Sequence, residues 1–251
     1  MTLPTDAVIG QADSLNLCWP AGSDLPWAPA AMTWLRSALP AGVYLALGPD
    51  RGVEDIPDQP DQAPARLRNT RRRAQFAAGR ALARTALQAA GLEQPPRLPS
   101  QSSGAPEWPT GMVGAITHTD EVAAVAVARR VQLAGLGLDV ERRRILSDGF
   151  EAHVCVGMER RDNTLDALAR FSAKESIYKA LAPLGIAPLR FHDVAVTAQD
   201  HALHFSATPQ CRWRDSLSRL RGLWLSGPSH VLTLVWLGGP PPAPDEASRH
   251  Q

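Results

Sequence analysis

The chain has 251 residues, 44% of them apolar and 20% charged, which is enough to bury a substantial core and is an ordinary globular composition. Its 26 basic and 25 acidic residues leave a net charge of +1, so no whole-chain field draws it to nucleic acid or membrane, and any anion-binding surface must be local. Cys18, Cys155 and Cys211 are odd in number and far apart, which excludes a disulfide framework and a CxxC zinc site.

The N-terminus has no basic leader and no long apolar stretch, and the runs Val122–Ala128 and Val231–Leu237 are too short to span a bilayer. A cytoplasmic protein is expected. The first 65 residues hold Pro20, Pro26, Pro29, Pro40, Pro49, Pro57, Pro60 and Pro64, so little long helix is expected there, with a short strand at Val43–Leu47. A Pro-free stretch rich in Ala, Leu and Arg predicts a helix over 65–90, stopped by Gly91. A loop follows to Gly111. Strands are predicted at Val113–Thr117 and Val122–Ala128, with a turn at His118–Glu121, and another at Leu133–Glu141.

A second long helix is predicted over 164–181, capped by Asp162 or Asn163 and ended by Pro183 and Gly185. Strands are predicted at 191–197, 202–206, 222–225 and 230–237, then a disordered tail from 238. Each half reads as one long helix with a small set of strands. The expected fold is α+β, with subdomains over 1–130 and 131–237.

Two segments carry chemistry. In Ala134–Glu141 the residues alternate: Ala134, Leu136, Leu138 and Val140 form an apolar face, while Gly135, Gly137, Asp139 and Glu141 form the other. Two carboxylates beside two residues without side chains suggest open space and a cation between the acids. Oxygen ligands alone point to Mg²⁺, Mn²⁺ or Ca²⁺. The plainer reading is a strand end whose acids meet Arg142–Arg144 or face solvent.

The second segment is Phe171–Lys179. Glu175 and Lys179 are spaced i,i+4 and share a helix face, which by spacing alone is an ordinary surface pair. A capping box from Ser172 to Glu175 is discounted, because the Pro-free stretch begins about eight residues earlier. Of the basic residues only Lys174 and Lys179 are lysine, which favours a need for compact point charge there.

Together, Gly137-Leu-Asp139-Val-Glu141 and Phe171-Ser-Ala-Lys174-Glu175-Ser-Ile-Tyr-Lys179 resemble the paired signatures of the phosphopantetheinyl transferases. The likeness is to the larger monomeric class that activates peptide and polyketide synthetases, nearest its enterobactin-type branch. Pro106-Glu-Trp108-Pro109 through Thr117-His118, and Arg72 through Arg80, resemble two further segments of that branch. The resemblance covers about residues 65–200.

It implies two similar α/β subdomains related by a pseudo-twofold axis, with the active site and coenzyme A at their interface. It implies Mg²⁺ held by Asp139, Glu141 and Glu175, and Glu175 as base for a carrier-protein serine. Lys179 would offset leaving-group charge, with Lys174 beside the diphosphate or in a local ion pair. Thr117, His118, Arg72, Arg80 and Asp139 would line the coenzyme A site. By spacing alone, His118 is a structural turn residue, and Arg68, Arg71 and Arg84 a solvated face. The implied reaction moves the phosphopantetheine arm of coenzyme A to an apo carrier protein, in siderophore, peptide or polyketide synthesis. Arg142–Arg144 could receive an acidic carrier. Ala115, where the family usually has Ser, and Ser100–Gly104, which lacks an expected basic residue, are departures on the coenzyme A side. Two other classes remain open: another Mg²⁺-dependent phosphoester hydrolase, and a non-catalytic coenzyme A- or carrier-binding module.

Overall fold

The computed structural model describes residues 14–18, 24–50, 69–101, 104–186 and 188–239. Arg68 and nearly all of the tail expected to be disordered lie outside them. In chain order the elements are β1 (Leu15–Leu17), α1 (Pro29–Ala38), β2 (Val43–Pro49), α2 (Thr70–Ala89), β3 (Met112–His118), β4 (Val122–Arg129), β5 (Leu133–Arg142), α3 (Phe150–Val154), α4 (Ala167–Leu181), β6 (Val194–Gln199), β7 (Ala202–Ala207), α5 (Arg214–Ser218), β8 (Leu220–Ser226) and β9 (His230–Gly238).

The strands form two sheets, ordered β1-β2-β4-β3 and β5-β9-β8-β7-β6. Among the described residues only β1 and β2 run parallel; every other strand pairing there is antiparallel. One apolar core lies between the sheets, where Leu45, Leu47, Ala124 and Ala126 meet Leu136, Leu138, Leu232 and Leu234. A second lies between α2 and the outer face of the first sheet, through Ala78, Leu82, Ala86, Val125 and Val127. A third lies between α4 and the second sheet, through Ala173, Ile177, Leu181, Val231 and Val235. The layers therefore run α2, first sheet, second sheet, α4. Strand β4 is covered on both faces, which is why it reads as an unbroken apolar run rather than an alternating one.

Three expectations change. Helix α1 forms inside the proline-rich region, because Pro29 occupies its first turn, where a missing N–H costs nothing, and Pro40 lies beyond its end. The cap of α4 is Asp166, whose side chain accepts from Ala169 N–H at 2.8 Å; Asp162 instead closes its own turn onto Thr164. A β-bulge between Leu133 and Gly135 turns Ala134 away from Leu136 and Leu138 into the α4 core. Helix α2 ends as the sequence predicts. Gly91 has φ +89°, and the N–H groups of Gly91 and Leu92 bond the carbonyls of Gln88 and Leu87, a Schellman closure.

Candidate active site

The candidate residues gather where β3, the edge of one sheet, runs beside β5, the edge of the other. Asp139 is 4% exposed on β5. Its Oδ1 accepts from Lys179 Nζ at 2.7 Å and from the Thr117 hydroxyl at 3.1 Å, while that hydroxyl also accepts from Val140 N–H at 3.3 Å. Thr117 is thus buried and acts on Asp139, instead of facing a ligand.

Helix α4 brings Glu175 and Lys179. It can lie this close because of Gly135 and Gly137: a Cβ at Gly137 would strike the Ser176 carbonyl, and one at Gly135 the Ala180 carbonyl. The space behind the two acids is therefore filled by helix backbone, which corrects the expectation of open space. Buried hydroxyls hold the helix to the neighbouring strand β9. The Thr233 hydroxyl stands 2.9 Å from Ser172 Oγ and 2.8 Å from Ser176 Oγ, and Thr233 is paired in register with Asp139. Ser172 is mid-helix, so the capping-box alternative fails.

Glu175 and Lys179 share a face, yet Lys179 bonds Asp139 and the Leu138 carbonyl, and the Glu175 carboxyl has no hydrogen bond among the described residues. Burial pushes the Glu175 carboxyl above its ordinary range; Asp139 and Glu141 push the same way and Lys179 opposes. Burial also raises Glu141, with Asp139 adding to the shift and Arg144, 2.8 Å away, opposing it. Three carboxylates thus crowd one region, and the charge of Asp139 adds to the burial that holds Glu141 and Glu175 protonated to higher pH.

His118 ends β3, paired with Ala123, so it belongs to the strand and not to the turn. Desolvation lowers its basicity, Lys179 and Arg72 lower it further, and Asp139 and Asp120 oppose. Arg72, on the exposed start of α2, thereby faces the same cluster. Arg80, two turns on, is 4% exposed, stacks over Phe76 and donates to Ser100 Oγ at 2.9 Å, so the two arginines do not share one open groove. Arg71 pairs with Asp120 and is not part of a free basic face.

Lys174 is not brought to the site. Its buried ammonium donates to Val154 O, Glu159 Oε2 and Phe191 O at 2.8, 2.8 and 2.9 Å, which saturates its three donors. Its role is the local ion pair, and the diphosphate contact is withdrawn. Glu159, fully buried, also accepts from Val156 and Val196 N–H; it lies in a stretch the sequence reads only as connection.

A groove of about 470 Å³ opens beside the cluster, lined by His118–Asp120 and Glu141–Arg144. The three arginines are engaged internally: Arg142 with Glu121, Arg143 with Asp166, Arg144 with Glu141. Among the described residues no three His, Cys, Asp or Glu side chains stand grouped as a ready metal cluster. The donor chemistry nevertheless fits a hard divalent cation: Asp139 Oδ2 is buried without a partner among the described residues, and Glu141 and Glu175 are carboxylates beside it.

A buried carboxylate with an unused oxygen, two neighbouring acids, a lysine and a histidine at a two-sheet junction define a site suited to an anionic phosphate ligand beside a divalent cation. A family model described as the 4'-phosphopantetheinyl transferase N-terminal domain matches residues 62–128. Over 189 residues the chain is 35% identical to the 4'-phosphopantetheinyl transferase Svp of Streptomyces mobaraensis, spanning 69% of this chain and 76% of that protein. It is 31% identical over 224 residues to the 4'-phosphopantetheinyl transferase PptT of Mycobacterium tuberculosis, spanning 82% and 98%. It is 34% identical over 171 residues to the 4'-phosphopantetheinyl transferase Npt of Nocardia iowensis, spanning 65% and 76%. The chain belongs to the 4'-phosphopantetheinyl transferase family.

Proposed function

We propose that the protein transfers the 4'-phosphopantetheine arm of coenzyme A to a serine of an apo acyl- or peptidyl-carrier protein, releasing adenosine 3',5'-bisphosphate. Membership of the family supports this over a hydrolase or a non-catalytic binding module. The observation that carries the site is the convergence of Asp139, Glu141, Glu175 and Lys179 between β5 and α4.

Asp139, Glu141 and Glu175 would hold Mg²⁺, or Mn²⁺ in its place. Such an ion supplies neutralisation of the coenzyme A diphosphate and of charge developing on its leaving side. The serine Oγ forms its bond to the pantetheine-bearing phosphorus as the bond from that phosphorus to the bridging oxygen breaks. Glu175 takes the serine proton, a task suited to a carboxyl whose proton affinity is raised by burial and by Asp139. Lys179 holds Asp139 in place and sets a cation beside the departing bisphosphate. Thr117 orients Asp139 from the other sheet. His118 and Arg72 contact coenzyme A phosphates; Arg80 and Ser100 together shape the wall behind them.

The two helix-backed sheets are read as the similar subdomains, 1–130 and 131–237, related by a pseudo-twofold axis. The protein is read as a cytoplasmic monomer of the larger class, nearest the enterobactin-type branch, serving siderophore, peptide or polyketide carriers. Among the described residues no helix is long and apolar enough to cross a membrane.

The test is incubation with coenzyme A, Mg²⁺ and a panel of apo carrier proteins, followed by intact-mass measurement. A phosphopantetheine adduct is expected on at least one carrier. No adduct on any would overturn the reading.

A further inference from the structure

The turn after His118 is gripped from both sides. From the second sheet, Arg142 pairs with Glu121 at 3.0 Å, and the buried His230 stands 3.3 Å from Thr119 Oγ1. From the first, Asp50 N–H, just beyond β2, donates to the Glu121 carbonyl at 3.1 Å. Gln75 Nε2, on α2, donates both to Asp50 Oδ2 at 2.9 Å and to the Thr119 carbonyl at 3.2 Å.

Asp50 is the unusual member. It is 5% exposed, and its Oδ1 has no hydrogen-bond partner among the described residues. A buried, half-satisfied carboxylate costs stability relative to an apolar residue of like size. Among the described residues its one side-chain hydrogen bond is from Gln75, whose carboxamide ties α2 to the turn. Gln75 lies one helical turn beyond Arg72, and the turn begins one residue beyond His118. With Asp50 in place, the Gln75 amide has one orientation that satisfies both acceptors. Without it, the amide can rotate and the link to Thr119 loosens.

We propose that Asp50 is a positioning residue for coenzyme A: through Gln75 it fixes helix α2 to the Thr119–Glu121 turn and so sets the spacing of Arg72 and His118. This rests on the reading of those two side chains as phosphate contacts.

The carboxyl also titrates in a useful range. Burial pushes it up to about 6; the Gln75 bond and Arg71 pull it down, and Asp120 pushes it up. The groups facing it are Arg71 and Gln75 from α2 and Asp120 from the turn, where the Glu121 carboxylate turns instead to Arg142. Above about pH 6 the carboxylate accepts from Gln75; as pH falls through that value it protonates and the latch weakens. Affinity for coenzyme A therefore drops on the acid side.

The experiment measures kcat and KM for coenzyme A at saturating carrier, on both sides of pH 6, for wild type, Asp50→Ala, Asp50→Asn and Gln75→Ala, with Arg72→Ala as reference. Asp50→Ala and Gln75→Ala are expected to raise KM about tenfold at neutral pH with kcat nearly unchanged. Asp50→Asn keeps an acceptor oxygen, so it should restore the neutral-pH KM and lose the inflection near pH 6. Unchanged KM in Asp50→Ala, a fall in kcat alone, or an inflection kept by Asp50→Asn would overturn the inference. Should Asp50→Ala not fold, the pH profile of Asp50→Asn decides. If Arg72→Ala leaves KM unchanged, the phosphate-site reading itself fails; if Arg72→Ala raises KM and the Asp50 and Gln75 variants do not, only this inference fails.

Discussion

The ammonium of Lys179 reaches across to Asp139 Oδ1, 2.7 Å away, and leaves the carboxyl of Glu175, its neighbour on the same helix face, without a hydrogen bond among the described residues. The lysine is about a quarter exposed and the aspartate nearly buried, so this pair is less screened than a surface one. Removing the ammonium leaves Asp139 with Thr117 as its one remaining side-chain donor. Lys179→Met is expected to lower the transfer rate about 10²-fold or more. Lys179→Arg should recover little, because a planar fork cannot copy a point charge seated between one carboxylate oxygen and the Leu138 carbonyl. Single-turnover transfer to an apo carrier, followed by mass, measures both.

Glu175→Gln keeps the size of the side chain and removes the base. It should fold as wild type and transfer slower by about 10²- to 10⁴-fold. The pH profile adds a second reading. Burial and Asp139 raise the Glu175 carboxyl, so the protonated, inactive form persists to higher pH than for an ordinary glutamate. The wild-type rate should climb with pH through that raised range, and the Gln variant should lack this limb. An unchanged rate would remove Glu175 from the mechanism.

Asp139→Ala tests the metal reading. Burial, with the charge of Asp139 beside it, raises Glu141 and Glu175 in the folded state, so each binds its proton more tightly folded than unfolded. Their effect on stability therefore turns unfavourable as pH rises through the ordinary glutamate range and is fully unfavourable above their raised folded values. A divalent cation offsets this repulsion. Mg²⁺ should raise the Tm of wild type at neutral pH, and the shift should shrink as pH falls into the carboxylate range. Asp139→Ala should abolish both the Tm shift and the calorimetric titration; a normal titration would refute Asp139 as a ligand.

Much of this site is legible in the sequence, and the failures have physical causes. The alternation along β5 places Asp139 and Glu141 on one face, away from the inter-sheet core. It also signals a close approach at Gly135 and Gly137, but strand periodicity cannot say whether a ligand or a helix approaches. The bulge at Ala134 carries no sequence signature, so its side chain changes core unannounced. Lys174 and Lys179 look alike in one helix; only the third dimension gives one to Glu159 and the other to Asp139. Thr233 and Gln75 escaped notice, because a threonine in an apolar strand and a glutamine in an arginine-rich helix carry no marker of the partners that give them meaning. Strands β2–β9 and both long helices follow from period, proline placement and the glycine stop at Gly91, while β1 at Leu15–Leu17 carries no such signal.

Gly137→Ala joins fold to chemistry most directly. The added methyl would meet the Ser176 carbonyl and the Ala180 backbone nitrogen, neither of which can swing aside as a side chain could. Helix α4 must lift, while Ser172 and Ser176 still tie it to Thr233 on the adjoining strand. Overpacking of this kind costs about 1–3 kcal/mol, more where backbone is struck. Lifting α4 also carries Glu175 and Lys179 away from Asp139, so the rate should fall further than the loss of stability alone explains. Gly157→Ala is the control, since nothing lies within 4 Å of its Cβ position. Thermal melts and single-turnover rates of the two variants separate the effects. If Gly137→Ala melts and transfers like Gly157→Ala, the seating of α4 on β5 does not set the geometry of the site.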